Sequence, residues 1–249
     1  MTTDDREPPG KPLVEVVLPA YNEEQDLPRS VETLVAFLRG QPQYAWRVLV
    51  ADNASTDGTL ATAHALAEAN PEVEVFHLPQ KGRGRALRAA WLRSDADAVC
   101  YMDVDLSTDL GALPPLIASV LDGGYDVATG TRLARASRVY KRTPKREFTS
   151  RCYNLLIKAM FWTRFSDAQC GFKALDRATA QRLLPLVRDN AFFFDTELLL
   201  IAEKRGLRIF EVPVTWTDDP GTTVRVVKTA MEDIRGLLRL RFGGIPRLP

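Results

Sequence analysis

Short apolar runs alternate with apolar residues at helical spacing along the first half of the chain. Residues 13–18 (LVEVVL) are β-branched and end at Pro19, which reads as a buried strand. Residues 27–39 place Leu27, Val31, Leu34, Val35 and Leu38 on one helical face and stop at Gly40. The same pattern predicts strands over residues 46–51, 73–78 and 98–102. It predicts helices over 60–69, capped by Ser55 or Thr56, over 86–92, and over 111–121, capped by Asp109. Strands and helices in this order mean βαβ units, a parallel sheet and right-handed crossovers. Ligands bind such sheets outside the carboxyl ends of the strands. Four polar clusters fall there: Tyr21-Asn22-Glu23, Asp52-Asn53, residues 80–85, and Asp103-Val104-Asp105.

The second half has a different character. Between residues 132 and 164 stand Arg132, Arg135, Arg138, Lys141, Arg142, Lys145, Arg146, Arg151, Lys158 and Arg164, with Glu147 as the one acid. Inside this stretch residues 153–162 (YNLLIKAMFW) are strongly apolar but far short of the roughly 18–20 residues a spanning helix needs. Apolar spacing beside dense cations predicts an interfacial segment over 148–165, with Leu155, Ile157, Met160, Phe161 and Trp162 entering the lipid boundary. The last helix, residues 226–242, sets Ile234, Leu237, Leu238 and Phe242 near Arg235, Arg239 and Arg241. An anionic membrane surface is therefore an expected partner. Packing of this apolar set into the core or a dimer interface is the alternative.

Composition narrows the class. With 45% hydrophobic and 26% charged residues, the 249-residue chain is that of a soluble globular protein. It is read as one domain over residues 12–249 behind a loose tail, residues 1–11, with no targeting segment. A net charge of +1 excludes uniform coating of nucleic acid. Cys100, Cys152 and Cys170 form no C-x-x-C pair, and His64 and His77 sit apart from other ligand types. A metal must then be held by oxygen.

The two carboxylates of Asp103 and Asp105 repel unless a cation lies beside them. Mg²⁺ suits the arrangement, because it takes one or two carboxylates and completes its shell with water and substrate phosphates. Asp52, ending the second strand, can accept hydrogen bonds from a nucleobase edge or close a simple turn. Residues 80–86 (QKGRGRA) form a Gly-rich turn entering a helix, where backbone N–H groups and cations can hold a diphosphate. The loop after the first strand (PAYNEE) has no glycine, which argues against a nicotinamide or flavin dehydrogenase.

Taken together, Pro19-Ala20-Tyr21-Asn22-Glu23-Glu24, Asp52…Ser55…Asp57, Gly82-Arg83-Gly84 and Asp103-Val104-Asp105 resemble the nucleotide-sugar half of family 2 glycosyltransferases of the GT-A fold. Gly130-Thr131-Arg132, Gln169-Cys170-Gly171-Phe172-Lys173, the stretch FDTELL from Phe194, and VPVTW from Val212 resemble its polyprenyl-phosphate branch, with the dolichyl-phosphate glucosyltransferases and mannose synthases. The resemblance implies an α/β fold with a mostly parallel sheet. Residues 12–131 would bind the nucleotide sugar, and residues 132–249 the acceptor and the membrane. Asp52 would contact the base, and Pro19, Tyr21 and Glu23 would line the nucleoside pocket. Arg83 would neighbour the diphosphate. Asp103 and Asp105 would hold Mg²⁺ or Mn²⁺. Arg132 and Arg151 would bind the acceptor phosphate, and Gln169, Asp195 and Glu197 would lie near the sugar. The expected donor is UDP-glucose, with GDP-mannose as the alternative, and the expected acceptor a polyprenyl phosphate. The expected location is the cytoplasmic face of a membrane, bound peripherally, with a homo-oligomer left open. Two positions depart from the family's pattern: Asn53 replaces a second acid after Asp52, and Ser107 replaces a glutamine after the D-x-D. A soluble acceptor, or a non-enzymatic basic binding module, are the competing readings.

Overall fold

The computed structural model describes residues 10–217 and 226–248. The expected tail lies outside the described residues as far as residue 9. Strands β1 (Leu13–Ala20), β2 (Ala45–Asn53), β3 (Val73–Leu78) and β4 (Ala98–Met102) pair in parallel in the order β3-β2-β1-β4. Helices α1 (Leu27–Arg39), α2 (Thr59–Ala69) and α3 (Arg83–Arg93) make the crossovers. The βαβ order read from the pattern therefore holds. Strands β1, β2 and β4 are buried on both faces because helices cover both, so they read as apolar runs, while the edge strand β3 leaves Glu74 and His77 exposed.

Helix α4 (Leu113–Leu121) follows a 3-10 turn at Leu110–Ala112, where Asp109 Oδ1 accepts the Gly111 N–H at 2.8 Å. The expected Asp109 cap is present. The expected Ser55 or Thr56 cap of α2 is not. That helix starts after Gly58, and Asp57 Oδ1 takes the Thr59 N–H at 3.0 Å. Ser55 and Thr56 bond back to Asn22 instead, which ties the loop after β1 to the loop after β2.

From β5 (Val127–Thr131) onward the chain completes the sheet in a way the pattern did not announce. Strand β7 (Phe172–Asp176) inserts antiparallel between β4 and β5, and β8 (Ile209–Pro213) closes the edge parallel to β5. One seven-stranded, mostly parallel sheet thus carries residues from both halves of the sequence. A small parallel pair, β6 (Arg138–Tyr140) with β9 (Thr215–Thr217), lies outside it. Helices α5 (Pro144–Phe161), α6 (Arg177–Leu183), α7 (Phe194–Lys204) and α8 (Val226–Gly243) complete the described residues.

The interfacial reading needs correction residue by residue. Helix α5 ends at Phe161, and Trp162 turns the chain with φ 56°. Ile157 and Phe161 face inward and are buried, as is Leu237 on α8, because each helix docks one apolar face on the core. The opposite faces are exposed. On α5 and its end they carry Phe148, Leu155 and Trp162 at seven-residue spacing, and on α8 Met231, Ile234, Leu238 and Phe242. Among the described residues no helix is long and apolar enough to cross a membrane.

Candidate active site

Arg83 is the hub of the site. It begins α3, directly after the Gly-rich turn. Its guanidinium donates to Asp195 Oδ2 at 2.6 Å and to Asp103 Oδ1 at 2.7 Å. The two carboxylates come from elements 92 residues apart in sequence, the N-terminus of α7 and the carboxyl end of β4. Asp195 is buried, and Lys173 Nζ lies 3.1 Å from its Oδ1. The Tyr101 hydroxyl donates to the same oxygen. Burial alone would raise the Asp195 carboxyl. Lys173 and Arg83 outweigh it and hold the group below the usual carboxylate range, so it is a fixed anion at neutral pH. The Lys173 side chain is itself fully buried, and it also donates to the carbonyls of Ala168 and Cys170.

Three glycines make the approach of these segments feasible. A Cβ on Gly84 would lie 2.6 Å from Phe194 Cβ, and one on Gly82 2.6 Å from the Asn190 carbonyl oxygen, so both positions let α3 dock against the start of α7. A Cβ on Gly171 would fall 1.8 Å from Asp103 Oδ2. The glycine of Gln169-Cys170-Gly171-Phe172-Lys173 is thus what gives the Asp103 carboxylate its place.

The nucleotide side is equally laced. Asp52 is fully buried at the end of β2, where Oδ2 meets His77 Nδ1 at 2.7 Å and Oδ1 accepts the Ser55 N–H at 3.3 Å. Asn53 is no vacancy in the pattern: its Oδ1 accepts the Gly82 N–H at 2.6 Å and so holds the Gly-rich turn. Tyr21 presents its ring to Lys81, with Nζ 3.1 Å from the centroid. The Glu23 N–H donates to Thr59 Oγ1 at 2.8 Å, and Pro19 lies one residue before the end of β1, in register with Ala51.

For a metal, Asp103 and Asp105 follow β4, and 43% of the Asp103 side chain is exposed. Asp105 is exposed and its Oδ1 accepts the Ser107 N–H at 2.9 Å. Ser107 therefore orients Asp105 through its backbone. Among the described residues no group of three His, Cys, Asp or Glu side chains forms a closed cage. Two carboxylates on an open edge fit an ion that completes its shell with water and phosphate oxygens.

The remaining candidates divide. Arg132 forms a fork with Asp167, Nε to Oδ2 at 2.7 Å and Nη2 to Oδ1 at 2.9 Å, and that carboxylate is fully buried. Burial would raise Asp167, but Arg132 holds it low. Arg151 is not beside Arg132 in any such cluster; it is 62% exposed and paired with Glu147 at 2.5 Å. Gln169 Nε2 donates to Asp233 Oδ2 at 2.8 Å. Glu197 is fully buried, accepts the N–H groups of Arg188 and Asp189, and meets Arg239 Nη1 at 2.8 Å. Its oxygens secure the loop before α7 rather than open toward a sugar. The sequence reading gave no role to Tyr101, Asp167 or Asp233, quoted Lys173 only as the end of a motif, and set His77 apart from other ligand types, whereas His77 is paired with Asp52. Asp167 carried a signal, standing two residues before Gln169 in the motif it quoted. Lys173 carried the same signal as a member of that motif; Tyr101, His77 and Asp233 lie inside strands or on α8, where polarity alone marks nothing.

A mostly parallel sheet with acids and a Gly-rich turn gathered at the carboxyl ends of its strands defines an α/β protein whose ligand site lies outside those ends. The fold matches glucosyl-3-phosphoglycerate synthase from Mycobacterium tuberculosis with a TM-score of 0.70 at 22% identity, over 94% of this chain and 81% of that one. The model of glycosyl transferase family 2 matches residues 15–184, and the chain belongs to that family. Glycosyltransferase AglD of Haloferax volcanii is 39% identical over 229 residues, 90% of this chain, which spans only 35% of that protein's length. The dolichyl-phosphate beta-glucosyltransferase of Drosophila melanogaster is 30% identical over 83% of this chain and 68% of its own. That of Dictyostelium discoideum is 25% identical over 96% and 77%.

Proposed function

We propose that the chain transfers a hexose, glucose by preference, from a nucleoside diphosphate sugar to a polyprenyl phosphate, with inversion at the anomeric carbon. The observation that carries this reading is Arg83 held between Asp103 and Asp195, one cation joining the D-x-D edge to the buried acid of the polyprenyl-branch motif. Similarity to dolichyl-phosphate beta-glucosyltransferases supports the acceptor class and the sugar.

The chemistry asks little of a general base. An acceptor phosphate has a second pKa of about 6 and is already largely ionised at pH 7. The protein must orient it, and arginine forks suit phosphate oxygens. Arg132, fixed by Asp167, and exposed Arg151 are the candidates. Asp103 and Asp105 would hold a divalent ion, which when bound offsets charge on the departing diphosphate. Crystals of the Mycobacterium tuberculosis synthase contain Mn²⁺ and UDP-glucose, which supports Mg²⁺ or Mn²⁺ here. Asp52 would read the base, with Pro19, Tyr21 and Glu23 around the nucleoside and Arg83 at the diphosphate. One in-line displacement converts an α-linked donor into a β-linked product.

A lipid acceptor keeps its phosphate at headgroup level. The exposed stripe of Phe148, Leu155 and Trp162, flanked by Lys145, Arg151, Lys158 and Arg164, suits peripheral binding to an anionic bilayer on the side where nucleotide sugars are made. A soluble acceptor is the competing reading, with that stripe then packed in a dimer interface. The deciding assay supplies a short polyprenyl phosphate, Mg²⁺ or Mn²⁺, and radiolabelled UDP-glucose or GDP-mannose. Label in the lipid phase with UDP-glucose is expected. Label confined to water-soluble products overturns the lipid acceptor.

A further inference from the structure

Helix α8 has two faces with separate roles. Its inner face is registered on the site by three contacts one turn apart. Asp233 meets Gln169 at 2.8 Å, Gly236 packs against Phe193, and Arg239 pairs with Glu197 at 2.8 Å. The middle contact admits no side chain, since a Cβ on Gly236 would lie 2.3 Å from Phe193 Cδ1. Leu237 and Leu240 seal the same face against the core. A helix whose outer face could lie on any surface is thereby locked by its inner face to the segment that carries Asp195.

That register buries Asp233 almost completely, at 3% exposure. One of its oxygens is satisfied by Gln169. The other, Oδ1, is buried and meets no hydrogen-bond donor among the described residues. Burial comes first among the causes that push this carboxyl up to about 7, followed by the charges of Asp189, Asp195 and Glu232, against the Gln169 amide. Tyr153 of α5 is the neighbouring titratable group, and its hydroxyl is engaged with Thr196 Oγ1 at 3.0 Å. A buried acceptor without a partner is rare and calls for a donor that arrives from outside. An anion is disfavoured here, because acids surround the group. A neutral hydroxyl fits, and Gln169 and Asp195 stand on the side where the resemblance sets the transferred sugar.

We infer that Asp233 is a sugar-recognising residue, with its Oδ1 accepting a hydrogen bond from a ring hydroxyl of the donor hexose while Gln169 holds its other oxygen. This rests on the transferase reading above. It assigns sugar selection to α8, which lies beyond the residues matched by the family model, so donor choice can vary between relatives whose nucleotide half is alike.

Calorimetry on the full chain with Mn²⁺ tests it, comparing UDP with UDP-glucose and with UDP-glucose analogues each lacking one hydroxyl. In the parent, one of the deoxy analogues should bind about tenfold more weakly than UDP-glucose. Asp233→Ala should lose about the same tenfold for UDP-glucose, should show no further loss with that analogue, and should keep its UDP affinity within twofold. Asp233→Asn, which retains an acceptor oxygen, should recover part of the loss. Asp233→Ala also leaves the Gln169 amide without its acceptor and should melt a few degrees below the parent, whereas Asp233→Asn, which can keep that bond, should stay within a degree or two. Variants that bind UDP-glucose as the parent does would assign the orphan oxygen to a buried water and overturn the inference alone. A parent that binds neither UDP nor GDP, nor a sugar of either, would overturn the transferase reading, and the inference with it. Loss of UDP and UDP-glucose binding in equal measure, with a lowered melting temperature, would reduce Asp233 to a packing role.

Discussion

Replacing Gly171 with alanine separates the place of a carboxylate from the stability of the fold. The new Cβ would lie 1.8 Å from Asp103 Oδ2, 2.6 Å from Cγ and 2.9 Å from Oδ1. An ordinary carbon–oxygen contact is about 3.5 Å, so the carboxylate must retreat by roughly 1.5 Å. That retreat is open to it, because 43% of the Asp103 side chain is exposed. The cost to folding is the loss of the partly exposed Arg83–Asp103 pair, about 1 kcal/mol. The cost to function is larger. A displacement of about 1 Å at a reacting centre reaches a hundredfold in rate, and Asp103 is the residue that would share the metal and Arg83. Gly171→Ala should therefore melt within a few degrees of the parent and lose at least about a hundredfold in kcat, with weaker Mn²⁺-dependent UDP binding. Gly130→Ala is the contrasting control. Its Cβ would meet Cys170 Sγ at 2.9 Å and Val214 Cγ1 at 3.0 Å, in the core and away from the carboxylate. It should lose stability first. Full transfer activity in a folded Gly171→Ala enzyme would refute the placement of Asp103 as the organising acid of the site.

Three further outcomes are expected. Lys173→Met should destabilise the chain by about 3 kcal/mol in urea unfolding, the lower end for breaking a buried pair, because Asp195 keeps Arg83 and Tyr101; Arg151→Ala, on an exposed pair, should stay within about 0.5 kcal/mol. The Asp233 carboxyl titrates near 7 in the folded chain against about 3.9 when unfolded, so the folded state binds the extra proton between those values and stability falls as pH rises through that window. Asp233→Asn should flatten that decline in melting temperature, and an unchanged slope would mean the group is not protonated at neutral pH. Binding to anionic vesicles should weaken as salt rises and disappear in a variant with both Trp162→Ser and Phe242→Ser, two side chains 85% and 82% exposed; a parent that stays in the supernatant at low salt would remove the bilayer from the account.

How far the molecule was legible in its sequence follows from where its information lies. Strands β1, β2 and β4 are covered on both faces, so each contains a run of apolar residues that periodicity cannot miss, and the edge strand β3 still shows through its Val, Phe and Leu. Strand β7 breaks that rule with a buried lysine. Lys173 reads as polar, yet its charge is matched by Asp195 from a segment 22 residues later, a pairing invisible without the fold. Strand β5 (VATGT) carries glycine and threonine because its neighbours approach closely, with Cys170 Sγ 2.9 Å from where a Gly130 Cβ would sit. The three-residue strands β6 (RVY) and β9 (TWT) are too short to show a periodicity, although Trp216 of β9 packs against the core. Candidate residues at strand ends were found because polar clusters after apolar runs are conspicuous. Arg132 was found, but its role as half of a fork with Asp167 was not.

The same distinction explains why the amphipathic helices were half right. Helical spacing shows that α5 and α8 have apolar residues on two sides, but not which side the core takes. On α8 the choice is made by Gly236. Only at that position can the helix press against Phe193, and the contact turns Asp233, Leu237 and Leu240 inward and leaves Met231, Ile234, Leu238 and Phe242 outside. On α5 the buried set is Ser150, Asn154, Ile157 and Phe161, spaced by three and four residues, with Asn154 Oδ1 accepting the Ala168 N–H at 2.9 Å to hold the segment that contains Asp167 and Gln169. Both helices therefore tie an exposed apolar stripe to the loop that positions the candidate sugar and acceptor residues. If that stripe enters a bilayer, the same two helices hold both the membrane-facing side chains and, through Asn154 and Asp233, the loop with Asp167 and Gln169.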